Sequence, residues 1–134
     1  VTPFKLKPNS GQSLFEQVVF AATKAILSGL LKPGDAFPSV RAMASDLKIH
    51  PNTAHKVVQH LIQERWLNAS PGRGTTVAVP PKARSGDRQR LLNQDIEQLV
   101  VEARRVGADL DDVLIAIESR WKSLETLKVV SNDR

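Results

Sequence analysis

Asn52, Lys56, Gln59 and Gln63 recur at three- and four-residue intervals, with His55 on their flank, in a stretch reading PNTAHKVVQHLIQ over residues 51–63. A side-chain amide can pair bidentately with the edge of adenine, and a lysine or imidazole can take guanine or a phosphate. Thr53, beside Asn52, can meet a phosphate or a thymine methyl. Composition alone also allows a plain solvated helix face. Which reading holds depends on the elements that position these groups.

Ala54, Val57, Val58, Leu61 and Ile62 fill the opposite side at helical spacing. Pro51 opens this helix at its first position, where the amide that proline lacks would be unpaired anyway. The spacing carries the helix to about Trp66. Ser39 caps a preceding helix from Val40 to Leu47, with Met43, Ala44 and Leu47 inward. A first helix is expected over residues 13–30, opened by a Ser13–Glu16 capping box. Its stripe is Leu14, Val18, Val19, Ala22, Ile26 and Leu27, ended by the KPGD turn at 32–35. After the third helix, the turn cluster Pro71-Gly72-Arg73-Gly74 joins two short strands, with Thr75, Val77 and Val79 alternating inward. Helix, helix-turn-helix and hairpin in that order make a winged helix. Residues 80–87, PPKARSGD, form a linker. Two amphipathic helices follow, with seams of Leu92, Ile96, Leu99, Ala103 and Val106, then Leu110, Leu114, Ile117, Trp121 and Leu124. Gly107 and Asp109 separate them, so they should fold back on one another. Two helices cannot cover both seams alone, and self-association is the expected solution.

The fold class is therefore mostly α with a small β-hairpin: an N-terminal winged helix-turn-helix over residues 1–79, the linker 80–87, and a C-terminal antiparallel helical hairpin for dimerisation over 88–134. The candidate dimer interface is Leu92, Ile96, Leu99, Ala103, Leu110, Leu114, Ile117 and Trp121.

Charge points the same way. Residues 1–81 carry nine Lys and Arg against four Asp and Glu, whereas residues 82–134 carry ten against ten. The whole net charge of +5 thus sits in the first part, as expected of a part that meets a polyanion. With no cysteine there is no disulfide framework or thiolate metal site. His50, His55 and His60 lie five residues apart, about 140° on a helix, so no metal site is expected. No nucleophile–base pair, glycine-rich phosphate loop or paired carboxylate cluster marks an enzyme or a cofactor. No apolar run reaches the ~18 residues that would span a bilayer. A cytoplasmic location without a membrane partner is expected.

The stretch from Ser28 to Val77 resembles the DNA-binding domain of GntR-family bacterial transcription regulators. That family's pattern, G-x-L-x-P-G-x-x-L-P-S-x-R-x-L-A and later G-x-G-T-x-V, is matched by Gly29, Leu31 (offset by one), Pro33, Gly34, Pro38, Ser39, Arg41, Ala44, Gly72, Gly74, Thr75 and Val77. IHPNTAHK looks like the Ile-Asn-Pro-Asn-Thr-Val signature of the YtrA-like subfamily, whose members carry a short helical hairpin after the linker. His50 stands where that signature has asparagine. Pro51 and His55 stand where many relatives have arginine, so those base contacts do not transfer, whereas Ser39, Arg41, Thr53 and Gly72 match in type. The resemblance implies that the third helix enters the major groove, that Arg41 meets a phosphate or nearby guanine, and that Arg73 at the wing tip meets phosphate or the minor groove.

The candidate DNA-binding set is Ser39, Arg41, His50, Asn52, Thr53, His55, Lys56, Gln59, Gly72, Arg73 and Gly74. The expected function is a homodimeric regulator that binds an inverted-repeat operator on double-stranded DNA and represses. The rival is a winged-helix protein-interaction module without DNA binding, against which the amides and lysine argue. The helical hairpin has few convergent polar groups for a small-molecule effector, and the sequence identifies none.

Overall fold

A computed structural model describes the backbone of residues 2–7, 11–72 and 74–132, and their side chains as far as Glu125. The chain divides into two compact units, one built on residues 1–81 and the other on residues 82–126.

The first unit opens with α1, Leu14–Leu27. Ser13 caps it, its hydroxyl oxygen accepting from the Glu16 amide at 3.2 Å and donating to the Glu16 carboxylate at 3.1 Å. The returning bond thus comes to the carboxylate from the serine hydroxyl, where a full capping box would use the serine amide. Val18, Ala22, Ala25 and Ile26 form the buried face. Leu14 and Leu27, expected in that stripe, are half exposed at 50% and 56%. Leu27 follows Ile26 directly, so it lies about 100° further round the helix. The helix also ends short of Leu30, because Gly29 takes a left-handed φ of 83° and the Leu31 amide returns to the Ala25 carbonyl at 3.0 Å.

Helix α2, Val40–Leu47, buries Met43 and Ala44 and ends on Lys48 in the left-handed conformation, with φ 56° and ψ 48°. The turn to α3, Pro51–Gln63, is pinned by the buried Ile49. Ala54, Val57, Val58 and Leu61 are the buried side of α3. The chain leaves the helix at Glu64, two residues short of the expected end at Trp66, and Arg65 takes a positive φ of 68°.

Strands β1, Leu67–Ser70, and β2, Gly74–Val77, pair antiparallel, with Leu67 opposite Val77 and Ser70 opposite Gly74. The α1–α2 connector adds a third edge. Ala36 bridges Thr76, Gly34 donates to the Val77 carbonyl at 2.8 Å and Phe37 to the Thr75 carbonyl at 2.9 Å. Strand β2 stops at Val77, so the expected inward alternation does not reach Val79, which is 74% exposed. Phe4 and Phe37 close the core from the N-terminal segment, their ring centroids 6.0 Å apart.

The second unit is helical. Asp87–Arg90 (α4) runs into a π-helical turn at Leu91–Asp95 and then into α5, Ile96–Arg105. Helix α6 spans Leu110–Asn132. Gly107, at φ 80°, turns the chain between them. Asp109 and Asp112 cap each other's amides at 2.9 and 3.1 Å. No described side chain of this unit is buried. α5 and α6 approach each other far less closely than do α2 and α3. Trp121, expected within the seam, is exposed and donates from its indole N–H to Glu125 at 3.2 Å. Among the described residues, no helix is long and apolar enough to cross a membrane.

The fully buried Leu61 and the half-exposed Leu27 make a paired test of this core. Leu61→Ala should cost about 2–5 kcal/mol, as cavity-forming truncations do. Leu27→Ala should stay within about 0.5 kcal/mol. Urea unfolding of the two variants measures the difference.

Candidate nucleic-acid interface

The geometry of α3 follows from where it is greasy. With the buried residues held on one side, Asn52, His55, Lys56, Gln59 and Gln63 are all exposed. At 100° per residue these five fall within about 100° of arc. They form one polar face, directed away from the core. Thr53 is half-buried at the edge of that face, which suits it to a phosphate beside the helix more than to a base edge.

The start of α3 is built in a way that residue types alone did not reveal. His50 occupies the N-cap, and its Nδ1 accepts from the Asn52 amide at 3.0 Å. The bond places the ring proton on Nε2. His50 was expected to face DNA; it is exposed, but its first task is to satisfy an amide of α3. The available signal was its position immediately before a proline at the first helical residue. Pro51 has no amide, that of Asn52 is taken by His50, and Ala54 donates to the His50 carbonyl at 3.1 Å. The Thr53 amide and the helix dipole are therefore what favour an anion there.

Ser39 is similarly occupied, its hydroxyl oxygen accepting from the Ala42 amide at 3.0 Å. Arg41, two residues on, is exposed and has no ion pair among the described residues. Asp46, a carboxylate on the same helix, accepts from the Thr2 amide at 2.6 Å. Hydrogen bonding by Thr2 keeps that carboxyl below the usual carboxylate range. Val40, Arg41, Ala44, Ser45, Ile49 and Pro51 line one shallow groove, which sets Arg41 beside the start of α3. At the wing, Gly72 and Gly74 are exposed and both take φ 76°, a conformation that a side chain would strain. Arg73 lies outside the described residues.

The structure therefore brings Arg41, His50, Asn52, His55, Lys56 and Gln59 onto exposed surface around one helix and its preceding turn. Ser39 serves as a cap and Thr53 is withdrawn to the flank. Among the described residues, no three of the His, Cys, Asp and Glu side chains are grouped to hold a metal ion.

A helix-turn-helix closed by a β-hairpin, with a polar and cationic second helix, defines the winged-helix class of transcription regulators. Residues 14–77 match the family described as bacterial regulatory proteins, gntR family. Over 108 residues the chain is 29% identical to the HTH-type transcriptional repressor YtrA of Bacillus subtilis (strain 168), covering 80% of this chain and 83% of that one. Among solved structures it is similar to a transcriptional antiterminator from Listeria monocytogenes EGD-e. The TM-score is 0.76 at 20% identity, covering 91% of this chain and 92% of the other. It is also similar to YtrA from Sulfolobus acidocaldarius, a GntR-family transcription factor. There the TM-score is 0.51 at 23% identity, over 89% and 97% of the two chains. Those structural likenesses speak to the fold. Residues 14–77 thus form a GntR-family domain of bacterial regulatory proteins, and the chain is similar to a YtrA repressor.

The His50 cap can be tested apart from DNA. His50→Ala should destabilise the winged helix by about 0.5–2 kcal/mol, while His50→Asn, which keeps a capping acceptor, should retain most of that stability. Thermal unfolding of the two variants checks it.

Proposed function

We propose that this protein is a repressor that binds an inverted-repeat operator as a homodimer, reading one half-site with each α3. The observation that carries the reading is the polar face of α3: Asn52, His55, Lys56 and Gln59 are all exposed on one side of a helix whose other side is core. Asn52 and Gln59 would address base edges, and Lys56 and His55 a guanine or phosphate. Arg41, His50 and Thr53, the last with its first-turn amide, would position the backbone, while Gly72, Arg73 and Gly74 would let the wing approach. Ser39 would act through the cap it gives α2. The B. subtilis relative is described as a transcriptional repressor, which supports the direction of regulation.

Residues 88–134 would hold the dimer, with residues 80–87 as the tether to a winged helix over 1–79. The support is exposure: the exposed seam side chains run from 37% for Ile96 to 71% for Leu110, with Ala103 and Leu124 half-buried. So many large apolar groups at helical spacing need a cover, and a second copy supplies one of matching chemistry.

Salt dependence tests the DNA reading. If two protomers neutralise roughly six to eight phosphates, log affinity for a duplex should fall against log salt with a slope of about −5 to −7. Association that ignores salt would sink it. Asn52→Ala should relax base preference at one position per half-site and cost about 1–3 kcal/mol per contact. A binding-site selection that returned the parent consensus would exclude that contact.

Cutting after Pro81 tests the dimer separately. The truncated protein should be monomeric and should bind a full operator about 10²–10⁴-fold more weakly, because the second docking is no longer intramolecular. Its affinity for an isolated half-site should barely change. Sedimentation with gel-shift titration on full and half operators reads both. A truncated protein that gripped the full operator like the parent would assign the helices another task.

A further inference from the structure

The winged-helix unit carries a second concave feature, on a flank of α1 that neither its core face nor α3 occupies. Gln17, Phe20, Ala21 and Lys24 project there at three- and four-residue spacing, and Lys5 and Lys7 of the N-terminal segment face them across a cleft of about 260 Å³. Among the described residues, no carboxylate lines it. None of the three lysines has an ion pair or hydrogen bond among the described residues. Glu16, the acid nearest in sequence to Gln17 on α1, is held by Ser13. Gln17 is itself fixed, its amide donating to the Gln12 carbonyl at 2.9 Å.

Three like charges gathered without a counter-charge repel one another, and Lys24 is half-buried as well. Its place in the last turn of α1 suits a cation. That accounts for Lys24, but not for Lys5 and Lys7 opposite, nor for Phe20, which is 61% exposed on the same cleft. An anion would relieve the repulsion, and an attached hydrocarbon would cover the ring and Leu6. The volume lies just below the range of roughly 300–1,000 Å³ typical of drug-sized ligands, so the occupant should be small. A nucleic-acid backbone would meet the charges but bring nothing apolar for Phe20.

We propose that this cleft binds a small organic anion, a carboxylate or phosphate carried on a short hydrocarbon body. The lysines hold the charged group and Phe20 takes the hydrocarbon. The other flank of α1 supports α3 through Phe15, whose ring meets the edge of His60 at 5.3 Å between centroids. A ligand here would thus press on the helix that supports the polar face of α3. The binding itself does not depend on what that face reads.

Calorimetric titration of the full chain with octanoate and with octyl phosphate tests the site, with octanol and inorganic phosphate as its two halves. One of the two amphiphilic anions should bind saturably, one per chain, and neither half should match it. Removing one charged contact with Lys24→Gln should weaken binding about tenfold, as should removing a pair with Lys5→Gln/Lys7→Gln. Phe20→Ala should weaken it by a similar factor, and because Phe20 is exposed that variant should melt like the parent. Saturable binding that all the variants leave unchanged would overturn the proposal, as would octanol binding equally well or no binding by either anion. A random-sequence duplex gives the remaining outcome. If Lys5→Gln/Lys7→Gln lowered the salt slope of duplex binding by about two, the lysines would belong to DNA phosphates and the cleft proposal would fall.

Discussion

Everything on the polar face of α3 depends on how the helix's inner face is buried. Ala54, Val57 and Leu61 are fully enclosed, as are Val18 and Ala22 on α1 and Met43 on α2. Alanine at positions 22 and 54 lets the helices come close, and the branched side chains around them fill the space between. A helix held so tightly has one permitted rotation. Turning α3 by a single residue would swing its faces by about 100°, taking Lys56 or His55 toward the core and exposing a valine. Burying an amide or ammonium without a partner costs several kcal/mol, so that alternative is closed. The outward direction of Asn52, His55, Lys56 and Gln59 is therefore a consequence of packing, set by residues that touch no ligand.

Local signals made most of this unit legible before any coordinates. Ser13, Ser39 and Pro51 mark helix starts by chemistry that acts over three residues, and the structure places a helix after each. The polar face of α3 was legible for the same reason, since its period is a property of one helix. What escaped were arrangements that need distant chain. The burial of Phe4 against Phe37 joins a segment without periodicity to a loop. Leu14 and Leu27 have the hydropathy of core residues, but about half of each stays exposed. His50 escaped differently: imidazole is an uncommon cap, so its type suggested a partner outside the protein when its partner is the amide two residues on.

The second unit shows where periodicity runs out. Its apolar spacing is regular, yet no described side chain in it is buried, because a seam records that a helix needs a partner and not which one. The π turn at Leu91–Asp95 is also invisible in composition. A turn with an i→i+5 bond is wider than an α turn, so it shifts the phase of Leu91 and Leu92 relative to Ile96 and Leu99. A seam written as an unbroken α-helical repeat therefore bends there.

Net charge is the least specific of the sequence signals, and the structure explains why. The excess of +5 over residues 1–81 is shared among separate places on the winged-helix unit. Lys56 and Arg41 sit with amides and an imidazole, around a helix start whose own dipole favours anions. Lys5, Lys7 and Lys24 sit with an exposed phenyl ring. A sum over the chain cannot separate these settings. What separates them is the company each cation keeps, because hydrogen-bonding neighbours suit a polar edge or a phosphate whereas an aromatic neighbour adds a demand for hydrocarbon. The two basic patches of this unit thus differ in the chemistry of the anion each suits.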